Sequence, residues 1–308
     1  MNMKSFRTYS LLAGSMLTFA LASCSNDELT SPSYDGPVAA QVTAGINGVL
    51  TRAADAAWDE KDAIGISCNS MNTNYDNMKY VTTDGDGTFT HDGGVASGIF
   101  FQGTEAVTFS AYYPFTGTDG NVAGTIADVT TEDQTQQKTF DYLYATDATT
   151  TYASPTISFK DDAIFKHKMS RLILKITTSD ADGFNAGDVT KGTYSISGIK
   201  HGGTFDTTNG TAEATGDATN DWQITATSQD AANLRTYSMI LYPQDTPTLT
   251  FKVKIGGQAY TTDITPTLTA STSNTYTITV KKTGLVVSSN TIEGWGNEYI
   301  GNSDATIQ

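Results

Sequence analysis

The chain has 308 residues, 38% of them apolar and 17% charged, with only 7 Pro, which suits one to three folded domains and excludes a disordered chain. Its 18 Lys and Arg against 33 Asp and Glu give a formal net charge of -15, an acidic surface that repels phosphate backbones and excludes nucleic acid as a partner. Two Cys, Cys24 and Cys68, and three scattered His, His91, His167 and His201, supply no disulfide framework and no pair at metal-ligand spacing, so no metal and no other cofactor is expected.

Residues 1–23 read as a secretory signal. Lys4 and Arg7 supply the positive end, and Leu11 to Leu21 form an uncharged apolar run of eleven residues, too short for a permanent membrane helix. Leu21-Ala22-Ser23-Cys24 matches the lipobox of bacterial lipoproteins, which predicts cleavage before Cys24 and acyl chains on its thiol and new amino group. The alternative is an ordinary signal peptide with an incidental Cys. Buried acyl chains contribute about 0.8 kcal/mol per CH₂, so such an anchor holds a soluble domain on a membrane. Residues 24–37 then read as a lipid-anchored tether; its Ser25-Asn26-Asp27-Glu28 stretch fits a surface-export signal or a solvated linker equally well.

From Val38 onward the pattern is all-β. No window sustains apolar residues at helical spacing; alternation recurs instead. Val38 to Leu50 form a candidate first strand, with Val42, Ala44 and Ile46 on one face and a second apolar run at Val49-Leu50. Val107, Phe109, Ala111 and Tyr113 alternate with polar neighbours, as do Leu172, Leu174 and Ile176, then Leu249, Phe251, Val253 and Ile255, then Tyr276, Ile278 and Val280. Turn chemistry separates these runs at Asp84-Gly85-Asp86-Gly87, Gly93-Gly94, Asn209-Gly210 and Gly256-Gly257, the last a tight hairpin. The polar stretch 114–138 reads as a long loop. About seven candidate strands precede residue 160 and about seven follow it, which predicts two tandem antiparallel β-sandwich domains, 38–160 and 161–308.

Catalytic motifs are thin. Asp84-x-Asp86-Gly87 begins like a calcium loop, but Thr88 and Val95 occupy ligand positions, so a hairpin turn is the better reading. Cys68 follows Ile64-Gly65-Ile66-Ser67 with no activating neighbour and reads as buried filler. His167 reads as closing a backbone hydrogen bond at a sheet end. Trp58, Trp222 and Trp295 read as core, although exposed indoles would stack sugars. Carboxylate pairs for glycoside hydrolysis follow no sequence spacing, and nothing singles one out.

Several segments, in order, resemble the fimbrillin, or Mfa-like, lipoproteins of Gram-negative gut and oral anaerobes. They are Thr51-Arg52-Ala53 with Trp58; Asp62-Ala63-Ile64-Gly65-Ile66; Phe109-Ser110-Ala111-Tyr112-Tyr113-Pro114; Asp141-Tyr142-Leu143-Tyr144-Ala145; Phe165-Lys166-His167-Lys168-Met169-Ser170-Arg171-Leu172; and Tyr276 to Val280 with Ile292 and Gly294-Trp295.

The resemblance implies two tandem transthyretin-like sandwiches and a surface pilus built by strand exchange. Subunits of the family reach the outer membrane as lipoproteins. An Arg-specific protease cuts after an Arg in the loop following the first strand, that strand leaves with its lipid, and a neighbouring pilin subunit's strand fills the groove. Here the cut would fall between Arg52 and Ala53, and Arg52 is the only Arg between Arg7 and Arg171. The tail from Glu298 to Gln308 is short and polar, a mediocre donor strand. The expected function is a non-enzymatic pilus subunit or pilus-associated adhesin. Its rivals are a surface glycan-binding lipoprotein of a polysaccharide-uptake system, which needs a platform of exposed aromatics, and a surface glycoside hydrolase, which needs two carboxylates facing a cleft.

Overall fold

The computed structural model describes residues 36–48, 57–69, 74–226, 229–245 and 248–295. Cys24, Arg52, Ala53, the Val49-Leu50 pair and the tail from Glu298 lie outside them. In chain order the first strands are β1 (Val38–Ala39), β2 (Gln41–Ala44), β3 (Ala63–Asn69), β4 (Asn74–Thr82), β5 (Thr88–His91), β6 (Phe100–Phe101), β7 (Val107–Tyr113), β8 (Thr125–Thr130), β9 (Leu143–Thr150) and β10 (Thr156–Phe159). They are followed by β11 (Lys166–His167), β12 (Ser170–Thr177), β13 (Thr193–Ser197), β14 (Gly202–Asp206), β15 (Thr211–Thr215), β16 (Trp222–Gln223), β17 (Gln229–Ala231), β18 (Leu234–Leu241), β19 (Leu249–Ile255), β20 (Gln258–Ile264), β21 (Thr272–Lys281) and β22 (Gly284–Gly294). One helical turn, α1 (Asp188–Lys191), precedes β13.

The all-β class is what the alternation predicts. Leu172, Leu174 and Ile176 are fully buried on β12, Leu249, Phe251, Val253 and Ile255 on β19, and Tyr276, Ile278 and Val280 on β21. Gly256-Gly257 is the tight turn between β19 and β20, with φ of 57° and 80°. The Asp84–Gly87 stretch is the hairpin turn between β4 and β5, where the Asp86 carboxylate accepts the Thr88 N–H at 2.7 Å.

Two large assemblies result. Eight strands form one sheet in the order β10-β2-β5-β4-β3-β7-β9-β11. The sheet curls: β9 and β10, seventh and first in that order, are joined by a turn in which Thr151 bridges Ser154, and both line the same core with Val42, Ile64, Phe89 and Phe109. The later residues form a five-stranded sheet, β17-β18-β12-β21-β22, and a four-stranded sheet, β16-β13-β19-β20, with a second core between them. Two pairings are parallel, β2 with β10 and β12 with β21. Parallel neighbours need long connections, so local turn signals reveal only the antiparallel pairs.

The stretch 114–138 corrects the sequence expectation: it is not simply a loop. It contains β8, which pairs with β14 in a three-stranded sheet, β15-β14-β8. The inward apolar residues of β8, Ile126 and Val129, are three apart because the register shifts against β14 and Asp128 takes φ of 62°. That bulge breaks the two-residue alternation on which a sequence reading depends. A third buried cluster lies beneath, drawing Tyr112, Phe140, Tyr142 and Tyr144 together with Met169, Phe205, Ile240, Tyr242 and Trp295. Tyr142 stacks on Phe205 at 4.5 Å between ring centroids. Among the described residues β17 pairs with Leu234 to Thr236 of β18. Beyond it, Gln134 brackets Ile240 (Nε2 to its carbonyl at 3.0 Å, Oε1 from its N–H at 2.8 Å), and Gln137 Nε2 donates to the Ser238 carbonyl at 2.7 Å. These amides stand in for a ladder partner.

Candidate functional site

β2 carries the apolar face expected of the first strand. Val42 and Ala44 are buried, and Ile46 packs partly against the same core. β2 is an interior strand. On one side it runs parallel to β10, with Val42 opposite Ile157 and Ala44 opposite Phe159; on the other it runs antiparallel to β5, with Val42 opposite Phe89. The pairing continues past β2, where Gly45 N donates to the Phe159 carbonyl at 2.9 Å and Asn47 N to the Phe165 carbonyl at 2.8 Å.

On the other side β5 begins only at Thr88, and the last ladder contact is Ala44 N donating to the Gly87 carbonyl at 2.8 Å. Beyond that point a side chain takes over. The Trp58 indole N–H donates to the Ala44 carbonyl at 3.1 Å. Trp58 is only 7% exposed and is held edge-on by Phe89 at 5.2 Å, Tyr113 at 5.5 Å and Phe165 at 5.2 Å. The turn above must be glycine: Gly87 has φ of 84°, and a Cβ there would stand 2.5 Å from the Ala44 carbonyl oxygen.

The predicted processing residues Arg52 and Ala53 fall in the segment 49–56, between this strand and Trp58, outside the described residues, as does the lipidation residue Cys24. A cavity of about 330 Å³ lies where that segment leaves and rejoins the described chain, lined by Ile46, Ala57, Trp58, Asp62, Tyr113 and Asp141 among others. Both Asp62 oxygens are engaged, Oδ1 by the Tyr113 hydroxyl at 3.0 Å and Oδ2 by Asp59 N at 2.7 Å. Burial raises the Asp62 pKa, partly offset by the Tyr113 hydrogen bond, and burial likewise pushes the Tyr113 hydroxyl up. His167 Nδ1 sits 2.8 Å from Asp141 Oδ1, and the ring stacks on Trp295 at 3.9 Å. The Arg171 guanidinium covers Trp295 at 5.2 Å, while its Nε donates to Ser273 Oγ at 3.0 Å.

In the sequence these segments stand far apart. The fold joins them into two runs of contact, one linking Trp58 with Tyr113, Asp62 and Phe165, the other linking Asp141 with His167, Trp295 and Arg171. The His167 ring meets the Asp141 carboxylate and the Trp295 indole. Trp58 and Trp295 are buried as expected, and the half-buried Trp222 donates its N–H to the Glu132 carbonyl at 3.2 Å, so the three indoles form no sugar-stacking platform. Cys68 is buried, with its thiol pushed up to about 11, chiefly by burial, which suppresses the nucleophilic thiolate. Among the described residues no group of three or more His, Cys, Asp and Glu could hold a metal ion, and no helix is long and apolar enough to cross a membrane.

Comparison with known proteins supplies the context. A fimbrillin-like family model matches residues 51–295. A candidate fimbrium subunit of Bacteroides uniformis, Fim1C, is 32% identical over 92% of this chain and 94% of its own. A solved candidate cell adhesion protein from Bacteroides uniformis aligns at TM-score 0.64 and 25% identity, covering 85% of this chain and 99% of its own. Another from Bacteroides ovatus has the same fold at TM-score 0.65 and 24% identity, covering 84% of this chain and 98% of its own.

Proposed function

The chain belongs to the fimbrillin-like family, and on that premise we propose that it is a structural, non-enzymatic fimbrial subunit that polymerises by exchanging its first strand. The observation that carries the reading is the position of β2. It is an interior strand with buried Val42 and Ala44, and its covalent path to the rest of the folded chain runs through the segment 49–56, which contains Arg52.

In this reading the precursor is anchored in the outer membrane by acyl chains on Cys24, with residues 24–37 as tether. An Arg-specific protease cuts between Arg52 and Ala53. Residues 24–52 depart with the lipid, and the gap between β10 and β5 is refilled by a strand of another pilin subunit, of the same or a different kind. A vacated interior strand leaves two unpaired backbone edges and an open apolar core, which strongly favours refilling. The subunit comprises two β-sandwich domains, 38–160 and 161–308. Support for two domains comes from one buried cluster running from Val42 to Phe165, a few residues past that boundary, and another from Leu172 to Val280, with a third cluster joining residues of both. The other face of the proposal is adhesion to a host or bacterial surface ligand.

Two variants test this directly. Cys24→Ser should abolish palmitate incorporation and membrane retention; continued labelling and sedimentation would remove the lipid anchor from the account. Arg52→Ala should leave the protein as a lipid-anchored monomer on cells, whereas surface polymers of this variant would remove the processing step.

A further inference from the structure

We infer that this chain shields its opened state from the protease that opens it. What remains of the sandwich that loses a strand holds no arginine, and the arginines of the other sandwich are locked inside a sheet. This rests on the processing reading for the cut after Arg52; the placement of the cations does not.

Residues 53–165 contain four lysines, Lys61, Lys79, Lys138 and Lys160, and no arginine. They supply the first core once Val42, Ala44 and Ile46 are gone. Departure of the first strand falls on this core, because neither of the other two buried clusters includes a residue of that strand. The loss is most direct at β10. It is the end strand of the eight-stranded sheet, and its ladder partner among the described residues is β2. When β2 leaves, Thr156 to Phe159 become a bare strand. Endoproteases take up substrate in extended form, pairing with its backbone, so a strand inside a sheet is a poor substrate and a freed one a good substrate. The residue that follows β10 is Lys160, exposed and extended, with φ of -130° and ψ of 173°. A protease that accepts only arginine passes over it.

After the cut, arginine occurs at two positions, 171 and 235. Arg171 lies on β12, whose backbone is paired on both sides, with β18 and with β21. It is buried, and its guanidinium covers Trp295. Arg235 lies on β18, between Asp230 of β17 and Ile176 of β12. The Asp230 carboxylate takes its guanidinium bidentately, at 3.0 Å from Nε and 2.9 Å from Nη2. Reaching either peptide bond requires opening the five-stranded sheet, which contains no residue of the first strand. One protease can therefore release the first strand and leave the opened subunit whole.

The test treats the folded full chain with clostripain, an Arg-specific endoprotease, and follows intact mass. Wild type should give one body, beginning at Ala53, that persists. Lys160→Arg keeps the charge. It should be cut after Arg52 at the wild-type rate, and its body should then be lost, by a cut between positions 160 and 161, roughly ten-fold faster than the wild-type body. Adding Arg52→Ala to Lys160→Arg keeps the first strand in place and should slow the cut at 160 by a similar factor. A wild-type body cut after Arg171 or Arg235 as fast as it forms would overturn the inference. So would a Lys160→Arg body as durable as wild type, or a double variant cut at 160 as fast as the single one. If the bond after Arg52 resists clostripain in the folded chain, the processing reading falls. The same bodies are then opened through a site-specific protease sequence placed within 49–56, and their survival in clostripain decides the inference on its own.

Discussion

His201 is 3% exposed, with its ring 4.5 Å from that of Trp222 and its Nδ1 3.0 Å from Thr131 Oγ1. Burial lowers its pKa from 6.5 to about 4. The folded protein therefore resists a proton that the unfolded chain accepts. The stability this provides is complete above pH 6.5 and is lost as pH falls from there through about 4. Asp62, whose pKa is raised, acts in the opposite sense, so a difference between variants isolates the histidine. Wild type should lose about 1–3 kcal/mol more than His201→Gln across that window, read by denaturant melts at each pH. Parallel curves would mean that the imidazole is solvated in the folded state. Trp295 lies between the His167 ring and the Arg171 guanidinium. Trp295→Ala should cost about 3–5 kcal/mol of stability; an unchanged melting temperature together with lost polysaccharide binding would favour a glycan-binding surface.

At the scale of elements, β2 and the β4–β5 turn form one device. Gly87→Ala would drive a Cβ to 2.5 Å from the Ala44 carbonyl at a φ of 84°. That substitution should destabilise the intact chain by about 1–3 kcal/mol and loosen β2 in particular. Hydrogen exchange should show it as faster exchange at Ala44 and Gly45 than at Leu172 or Leu174 on β12; uniform loss across both cores would contradict a local effect. Elements of this kind differ in how far the sequence discloses them. The strands on β12, β19 and β21 were legible because one face of each is buried without interruption, as was the Gly256-Gly257 hairpin. β8 was not: a bulge places Ile126 and Val129 out of alternation, and its partner β14 lies more than seventy residues away. The buried face of the first strand was legible at Val42 and Ala44. Its parallel partner β10 was not, because more than a hundred residues separate them. Nor did the sequence link Trp58 to Ala44, since a side-chain donor that replaces a missing ladder partner leaves no periodic trace.

The whole molecule carries a formal charge of -15, so in the proposed fibre copies of this chain would all carry the same sign of charge. Like-charged subunits repel, so association of cut subunits should be slow at low ionic strength and accelerate as salt screens them. Light scattering after cleavage should show this acceleration between about 0.02 and 0.5 M NaCl; a rate falling with salt would point to assembly through opposed charges instead. Loss of the first strand removes Val42 and Ala44 from one core and Ile46 from its margin. At about 1.5–3 kcal/mol for fully burying a Val, with less for Ala44 and the partly buried Ile46, that is a noticeable share of a domain's net stability of about 5–15 kcal/mol. In the proposed mechanism the cut subunit is a poor monomer until a neighbour's strand replaces the one it lost.

The central claim is that the chain found in the fibre is the chain without its first strand. Mass spectrometry of polymer sheared from the cell surface measures that directly. The account predicts an amino terminus at Ala53, with no peptide from residues 24–52 in the polymer and the lipidated 24–52 fragment left in the membrane fraction. A sheared polymer whose subunits begin at Cys24, or retain the Gln41–Ala44 strand, would contradict it.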